Sequence, residues 1–266
     1  MSLLWPARPY LAEIVAAPPD GARPPEPGSA LRIASYNVHR WAGVRGGRAY
    51  DPERAYEVLG EFDADVVALQ EALRPTDWED PLREAARRLG VHLAFVVTRQ
   101  HKRGELGNAV LSRIPLAGVN AIDLSFGRLE RRAAVAVTLA GHDLTVAATH
   151  LALVDRTRAR QIRALLDHPQ LASGPAVLLG DMNAWRRTAT TRELDEAYAQ
   201  QHHNAAWPAS YPSVRPVLAL DRLYARGARV VDIRAHTSAA ARRGSDHLPV
   251  VATVEVGREE GELPPP

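Results

Sequence analysis

Hydrophobic residues recur along the chain at two spacings, one typical of strands and one typical of helices. Short apolar runs predict strands at 31–36, 66–69, 93–97, 109–112, 133–139, 144–149, 177–179, 219–224 and 249–255. Apolar positions three and four residues apart predict helices at 52–62, 78–89 and 156–167. Strands and helices therefore alternate, but the runs at 133–139 and 144–149 are close enough to pair as a hairpin. This mixture favours an α/β fold with mixed sheets.

The two ends of the chain differ from its middle in composition. Residues 17–29 contain five prolines together with Gly, Asp and Glu, which predicts a Pro-rich N-terminal leader over residues 1–29. The first 16 residues of this leader could dock on the domain or remain disordered. Acidic residues followed by prolines predict a flexible tail over residues 257–266. The segment between them, 30–256, has no internal repeat, and we expect it to form a single domain.

Composition excludes several classes of protein. With 266 residues, 46% of them hydrophobic, the chain can bury a large core. It has no cysteine, which excludes disulfide bridges, thiolate metal sites and cysteine nucleophiles. It has neither a secretory signal pattern nor a run of about 18 apolar residues, so we expect a cytoplasmic protein without an integral membrane segment. No feature of the sequence indicates an obligate protein partner.

Seven short polar clusters lie on or just after the apolar runs, in a fixed order along the chain. They are Ser35-Tyr36-Asn37-Val38-His39, Leu69-Gln70-Glu71, Gly107-Asn108-Ala109-Val110-Leu111-Ser112-Arg113, Thr149-His150-Leu151, Gly180-Asp181-Met182-Asn183, Leu220-Asp221-Arg222 and Ser245-Asp246-His247-Leu248-Pro249. Loops at strand ends can converge on one crevice of an α/β fold, so we expect these clusters to meet. They supply carboxylates, carboxamides and imidazoles, which suit a hard divalent cation beside a phosphate ester.

This ordered series resembles the endonuclease/exonuclease/phosphatase superfamily, the group of DNase I, exonuclease III, sphingomyelinases and inositol-phosphate phosphatases. The likeness runs from Leu31 to Val256, nearly the whole chain. Two stretches, at 180–185 and 210–224, look like a small bacterial branch whose members mostly have no assigned substrate. The resemblance implies a four-layer α/β sandwich, in which two mixed β-sheets pack face to face with helices outside and the site lies at one rim.

Three residues are expected to bind a divalent metal ion. A carboxylate that closes a buried strand, as Glu71 does, needs a partner, and a cation is a suitable one. A surface acid that caps the following loop would look the same in the sequence. The carboxamide of Asn37 could position the ion or Glu71, and Asp246 supplies a second carboxylate. By resemblance, these three side chains surround Mg²⁺ (or Mn²⁺), as one ion or as two.

Five residues are expected to carry the catalytic chemistry. Asp181 and Asn183 are two residues apart, so on an extended segment they share a face, where the aspartate could take a proton from water. The same Gly-Asp-x-Asn pattern is also typical of a turn that closes a strand. By resemblance, His247 contacts the scissile phosphate, Asp221 holds the other nitrogen of that ring, and His150 lies across the phosphate.

Further residues are expected to contact the substrate or to support the site. Asn108 matches a position that often contacts the substrate phosphate, although a polar strand start would look the same. His39 could line the crevice, and Glu105 is a candidate acidic partner of His150. Arginines flank three of the clusters, at positions 40, 45, 48, 186, 187, 242 and 243. Arg186 and Arg187 in particular are expected to bind anionic groups beyond the phosphate, as part of a cationic rim; solvated loop charge is the alternative.

The sequence thus predicts a divalent-metal-dependent phosphoesterase, and more narrowly a phosphodiesterase that uses in-line attack of an activated water. Its substrate could be nucleic acid, a lipid or a small-molecule phosphodiester, because a formal charge of +2 leaves no strong nucleic-acid footprint. A phosphomonoester such as an inositol phosphate is an alternative substrate. A non-catalytic scaffold of the same fold is the alternative function, and such a protein would be expected to lack an acid or a histidine of the set.

Overall fold

Two β-sheets contain most of the apolar runs of the sequence. The computed structural model describes residues 10–15, 23–47, 49–127, 130–198 and 207–256. The strands of this part of the chain are β1 (Tyr10–Val15), β2 (Leu31–Asn37), β3 (Val66–Pro75), β4 (His92–His101), β5 (Gly104–Ser112), β6 (Leu116–Asp123), β7 (Ala133–Leu139), β8 (Leu144–His150), β9 (Ala176–Asp181), β10 (Asp221–Arg226), β11 (Ala228–Ala235) and β12 (Val250–Val256). The larger sheet has the order β1-β4-β5-β3-β2-β12-β11, and the smaller sheet has the order β10-β9-β8-β7-β6.

Short helices connect the strands. They are α1 (Glu53–Glu61), α2 (Pro81–Leu89), α3 (Asp155–Leu166), α4 (Pro169–Ala172), α5 (Ala189–Ala197) and α6 (Ala241–Gly244), and a 3-10 turn spans His39–Trp41. Local chemistry fixes the ends of α2, because the side chain of Asp80 accepts hydrogen bonds from two backbone amides and Gly90 ends the helix in the left-handed region. This helix therefore begins later than the predicted start at residue 78. Among the described helices, none has the length and apolar character needed to span a membrane.

The central strands are buried on both faces, and this produces layers of apolar contact. Ile33 of β2 packs between the two sheets, whereas its neighbours Ala34 and Tyr36 pack on the opposite face with residues of α1 and α2. On the far side of the smaller sheet, Ile162 of α3 and Leu194 of α5 pack against the outer face. The layers are thus helices, sheet, sheet and helices. The structure confirms the predicted four-layer α/β sandwich.

One parallel pair of strands lies inside each sheet and brings the polar clusters to one rim. β2 is parallel to β3, and β8 is parallel to β9. Asn37, His150 and Asp181 are the last residues of β2, β8 and β9, and Glu71 lies in the second half of β3. Antiparallel neighbours begin where these strands end, so Asp221 at the start of β10 pairs directly with Asp181. The start of β12, which is antiparallel to β2, reaches the same rim.

The hydrophobic pattern does not predict the edge strands β1, β6 and β11, or helix α5. An edge strand is only partly covered, so β6 and β11 mix buried, half-buried and exposed residues instead of forming apolar runs. Strand β1 falls within the predicted leader, and its antiparallel pairing with β4 makes residues 10–15 part of the larger sheet. Residues 1–9, 16–22 and 257–266 of the predicted leader and tail lie outside the described residues.

Gly180, next to Asp181 in β9, should not tolerate a side chain. Its φ is +143°, and an added Cβ would lie 1.9 Å from the carbonyl oxygen of Thr149 in β8. We expect Gly180→Ala to lower the free energy of unfolding, measured by chemical denaturation, by about 3 kcal/mol or more. Gly60→Ala is the matched control, since Gly60 lies in α1 and its Cβ would meet no atom within 4 Å. That alanine should raise stability by about 0.5–1 kcal/mol, and equal stability of the two variants would contradict the close approach of β8 and β9.

Candidate active site

The strand ends of both sheets open into a cleft of about 470 Å³. Polar side chains of five clusters line it, namely those of Glu71, Asn108, His150, Asp181, Asn183, Asp246 and His247. The other two clusters contribute Asn37 and Asp221, which are 2% and 0% exposed and lie directly behind the lining. All seven clusters therefore meet at this rim, as the sequence leads one to expect.

The carboxylate of Asp181 is the centre of the site. Its Oδ2 atom accepts a hydrogen bond from Nδ2 of Asn37 (3.1 Å), and its Oδ1 atom accepts one from the backbone amide of Asn183 (2.9 Å). The Nε2 atoms of His150 and His247 lie 3.4 and 3.7 Å from Oδ2. Burial raises the pKa of Asp181 above its ordinary value, against the lowering effect of the His247 cation. A carboxylate with a raised pKa is well suited to accept a proton.

His247 is held as a cation by two carboxylates. Its Nδ1 atom donates to Oδ2 of Asp221 at 2.7 Å, and the same oxygen accepts a hydrogen bond from Oγ of Ser210 at 2.6 Å. The imidazole ring packs against Tyr211, with 4.9 Å between ring centroids. Burial lowers the pKa of His247, but the charges of Asp221 and Asp181 raise it by more, so that the pKa lies above its ordinary value.

His150, on the other side of Asp181, is in the opposite protonation state. Burial lowers its pKa well below the ordinary value, and the nearby cations of Arg132 and His247 lower it further. Nδ2 of Asn183 donates to Nε2 of His150 at 3.0 Å, and an accepting Nε2 places the proton of the neutral ring on Nδ1. One buried carboxylate therefore lies between a neutral and a cationic imidazole.

A β-bulge directs Glu71 into the cleft. The pairing of β3 with β5 shifts register between Leu69 and Ala72, and Glu71 itself has φ +50°. Its Oε2 atom is buried and accepts no hydrogen bond, although Nη1 of Arg40 lies 3.2 Å away. A buried carboxylate oxygen without a hydrogen bond is costly unless a cation is close to it. The strained backbone thus presents a carboxylate that is suited to binding a cation.

The predicted metal ligands are suited to a hard divalent cation. Glu71 and Asp246 line the same cleft, and Oγ of Ser245 links the Asp246 segment to the backbone carbonyl of Asn37 at 2.6 Å. Carboxylate and carboxamide oxygens are the ligands that Mg²⁺ and Mn²⁺ prefer. Within the described ranges no three acidic or imidazole side chains group closely enough to hold a metal ion. The third predicted ligand, Asn37, is an amide. The donor set, with an oxygen of Glu71 that accepts no hydrogen bond, fits a Mg²⁺-like ion.

A family model described as the Endonuclease/Exonuclease/phosphatase family matches residues 35–247, a segment that contains every residue of this site. This chain belongs to the endonuclease/exonuclease/phosphatase family. Members of that family are phosphoesterases, and the assignment confirms the resemblance seen in the sequence.

Three known proteins illustrate the similarity. Uncharacterized protein YbhP of Escherichia coli (strain K12) is 27% identical over 248 residues, which cover 85% of this chain and 97% of that protein. An endonuclease/exonuclease/phosphatase from Beutenbergia cavernae DSM 12333 is 24% identical, with a TM-score of 0.66 over 86% of this chain and 72% of that chain. D. rerio TDP2 complexed with single strand DNA product is 18% identical, with a TM-score of 0.60 over 85% of this chain and 99% of that chain. The two solved structures share the fold.

Arg132 also lines the cleft, although the sequence does not predict it as a site residue. It directly precedes β7, and it donates to Oε2 of Glu130 at 2.6 Å, while Nη2 of Arg99 lies 2.8 Å from the other oxygen of that carboxylate. The Nε atom of Arg132 is buried and has no acceptor. Nearby, Nδ2 of Asn108 donates to a backbone carbonyl of β7 at 2.7 Å. Nothing in the sequence distinguishes Arg132 from the adjacent Arg131.

Two further residues position the catalytic loops. Arg158 of α3 is only 4% exposed, and its Nη1 atom donates to three backbone carbonyls, including that of Asn183 at 2.9 Å. Ser213 donates from Oγ to the carbonyl of Ser245 (2.6 Å), and its backbone amide donates to the carbonyl of Asp246 (2.7 Å). The segment 210–213 carries part of the family resemblance, but the sequence alone assigns no role to it.

The arginines that flank the polar clusters do not form one continuous rim. Arg40 lies inside the cleft beside Glu71. Arg186 and Arg187 are exposed on the loop after Asn183, outside the cleft lining. The remaining described members line a separate groove, namely Arg45, Arg242 and Arg243, and residue 48 lies outside the described ranges. Substrate binding by Arg186 and Arg187 stays a prediction.

His39 and Glu105 make other contacts than those expected. Nδ1 of His39 lies 3.2 Å from Oδ1 of Asp246, and the ring is not part of the cleft lining. Its contact with substrate therefore stays a prediction, while its contact with a predicted metal ligand is direct. Glu105 accepts a hydrogen bond from Nε of Arg74 at 2.9 Å. The carboxylate beside His150 belongs to Asp181, so Glu105 is not the acidic partner of His150.

Asp221 should control the alkaline limit of catalysis. Because the charge of Asp221 raises the pKa of His247, Asp221→Asn should let the imidazolium lose its proton at lower pH. We expect the alkaline limb of the kcat–pH profile, measured with bis-p-nitrophenyl phosphate, to move to lower pH by about one unit or more. The acid limb should move in the same direction, since Asp221 also raises the pKa of Asp181. Asp232→Asn, an exposed position on β11, is the matched control. An unshifted alkaline limb in Asp221→Asn would contradict the role of this pair.

Proposed function

We propose that this chain is a divalent-metal-dependent phosphodiesterase, in which an activated water attacks phosphorus in line with the leaving oxygen. One observation carries the proposal, namely the buried carboxylate of Asp181 between the neutral His150 and the cationic His247. A site with a proton acceptor and a fixed cation a few ångströms apart can activate water and stabilise phosphate charge in the same step.

Asp181 acts as the general base. Asn37 and the backbone amide of Asn183 each donate to one of its oxygens, and these hydrogen bonds fix the plane of the carboxylate. The attacking water loses its proton to Asp181 while its oxygen bonds to phosphorus. The Asn183 side chain, held by His150 and a backbone carbonyl, keeps the neutral ring in place beside the base.

His247 stabilises the negative charge that develops on the phosphate. Its Nδ1 atom is bound to Asp221, so Nε2 is left to donate toward the cleft. Because the ring is a cation, it can also give its proton to the leaving oxygen. Arg132 and Arg99 add positive charge to the same cleft, partly balanced by Glu130.

Asn37, Glu71 and Asp246 would hold Mg²⁺ or Mn²⁺ in this arrangement. When bound, the ion polarises a phosphate oxygen and offsets its charge. Glu71 would exchange its contact with Arg40 for the ion, and Asp246 would exchange its contact with His39. Loss of either acid should therefore weaken metal binding without removing the base at Asp181.

Hydrolysis should depend on the metal ion and on Glu71. We expect EDTA to abolish hydrolysis of bis-p-nitrophenyl phosphate and added Mg²⁺ or Mn²⁺ to restore it. Glu71→Gln keeps the shape of the side chain but removes its charge, so isothermal titration should show weaker Mg²⁺ binding by about tenfold or more. Full activity in EDTA would contradict the metal requirement, and unchanged Mg²⁺ affinity in Glu71→Gln would contradict the ligand assignment.

Asp181→Asn should separate a catalytic from a purely structural role of this carboxylate. The amide preserves volume but cannot take the proton, so kcat should fall by about 10³-fold or more while the unfolding midpoint stays near that of the wild type. Asp143→Asn is the matched control, because Asp143 is exposed in the β7–β8 turn and has φ +43°, which Asn tolerates. A wild-type rate in Asp181→Asn would exclude the proposed base.

A panel of bis-p-nitrophenyl phosphate, a phosphomonoester, plasmid DNA and phospholipid would identify the substrate class. If the protein hydrolyses none of these compounds, the result would favour a non-catalytic scaffold.

A further inference from the structure

Exposed hydrophobic side chains concentrate at the mouth of the active-site cleft. The described residues contain eight large hydrophobic side chains that are exposed, and five of them lie on three loops around the cleft. They are Leu153 (59% exposed), Val154 (53%), Trp185 (49%), Val214 (59%) and Val217 (66%). Leu153, Trp185 and the neighbour of Val217, Leu218, line the cleft itself, so each of the three loops reaches it. Val214, on the third loop, lines the separate groove that also contains Arg242 and Arg243. We name these five residues the apolar lip.

Arginines alternate with the residues of the apolar lip. Arg156 follows Val154, Arg186 and Arg187 follow Trp185, and Arg215 lies between Val214 and Val217. All four are exposed. Aliphatic side chains interspersed with guanidinium groups are suited to a surface that is apolar in its interior and anionic at its polar layer. Exposed apolar side chains that cluster on the protein surface are typical of a site where a partner covers them.

The lining of the cleft combines charged and apolar side chains. Arg40, Arg99 and Arg132 supply positive charge, with Glu71 and Glu130 as their anionic partners. Apolar surface comes from Leu106, Leu153, Trp185, Leu218 and Leu220. A molecule bound in the cleft would meet both kinds of group. The cleft therefore suits an amphiphilic ester.

We propose that the substrate is a phospholipid, bound by the apolar lip while it remains in an anionic lipid surface. This inference rests on the proposed phosphodiesterase function and names its substrate class. Water adds to phosphorus, one phosphorus–oxygen ester bond breaks, and the products are a phosphomonoester and an alcohol. The proton of the water goes to Asp181, and the leaving oxygen takes a proton from His247.

Side-chain chemistry favours a lipid surface over a nucleic-acid strand. Bases bind to proteins by stacking on aromatic rings, and Trp185 is the single aromatic member of the lip as defined above. Tyr211 also lines the cleft, where its ring packs against His247. Leu153, Val154, Val214 and Val217 are aliphatic and offer no flat face. The exposed arginines attract either kind of anionic partner, so the distinction between them rests on the aliphatic side chains.

Vesicle binding tests the proposal directly. The full chain with Asp181→Asn, which prevents turnover, is sedimented with vesicles of equal parts phosphatidylcholine and phosphatidylglycerol. We expect it to pellet with the vesicles, and the double change Val214→Glu and Val217→Glu in that background should raise the dissociation constant by about tenfold or more. Ile14→Glu is the matched control, because Ile14 is also apolar and 54% exposed but lies on β1, outside the lip. We call the protein with Val214→Glu and Val217→Glu the lip variant. Equal dissociation constants for vesicles with and without these two changes would overturn the proposal.

Tryptophan quenching provides a second, local readout. Trp185 and Trp78 are exposed to similar extents, 49% and 55%, but only Trp185 belongs to the lip. Vesicles with brominated phosphatidylcholine should quench the protein fluorescence. Trp185→Phe should remove most of this quenching, and Trp78→Phe should retain it. Quenching that survives in Trp185→Phe would show that another face of the molecule contacts the lipid and would overturn the proposal.

Activity measurements distinguish failure of this inference from failure of the proposed function. With the active protein, the lip variant should lower the ratio of the hydrolysis rate on phospholipid vesicles to the rate on soluble bis-p-nitrophenyl phosphate. If the soluble diester is hydrolysed but vesicles are neither bound nor hydrolysed, the lipid inference fails and the phosphodiesterase stands. Binding of a single-stranded oligonucleotide that the lip variant abolishes, or a dimer in sedimentation velocity that it dissociates, would equally overturn the lipid inference. Absence of hydrolysis on every ester would overturn both.

Discussion

The site is organised around one buried carboxylate, that of Asp181. An ionised carboxylate removed from water is stable only where hydrogen-bond donors and cations surround it. Asn37 reaches it from the larger sheet, Asn183 from the loop after β9, and His247 from the segment before β12. The hydrogen bond from Asn37 joins residues 144 positions apart and connects the two sheets. The carboxylate at the centre of the site therefore also forms a contact between the two sheets, which pack mainly through apolar side chains.

This constraint also accounts for the location of backbone strain. Seven non-glycine residues with positive φ occur in the described ranges. Arg40, Glu71 and Asn183 line the cleft, and His39 and Trp41 belong to the same 3-10 turn as Arg40. Such conformations persist only where neighbouring contacts hold them. Nε1 of Trp41 donates to a carbonyl of β3 at 2.7 Å, and the carbonyl of Asn183 accepts a hydrogen bond from Arg158. These buried contacts thus stabilise the strained backbone that orients the carboxylate of Glu71 and the loop after Asp181.

Much of this arrangement could be predicted from the sequence, because buried strands leave apolar runs and the polar clusters follow them in order. Three of the four edge strands of the described sheets could not, since strands such as β6 and β11 are covered on too little of their surface to need an apolar run. The fourth, β10, is mostly buried and agrees with the strand predicted at 219–224. Arg132 could not be predicted either, because it reaches the cleft only in the folded protein and the sequence does not distinguish it from the adjacent Arg131. The β-bulge at Glu71 arises from the pairing of β3 with β5, so it cannot be predicted from the residues of β3 alone. Sequence order therefore predicts which residues meet, but not which neighbours hold them in place.

The buried residues of the site tolerate substitution less well than the exposed loops around the cleft. Asp181, Asp221 and His247 are buried, and each has partners that a substitution would leave unpaired. The loops beyond them, at 152–154, 184–187 and 214–218, are largely exposed and can change without disturbing that network. A shared fold at low identity is consistent with this division, as in D. rerio TDP2 with its single strand DNA product. In this chain those loops carry Trp185 with aliphatic and arginine side chains. The lipid specificity proposed above would therefore depend on residues outside the buried network.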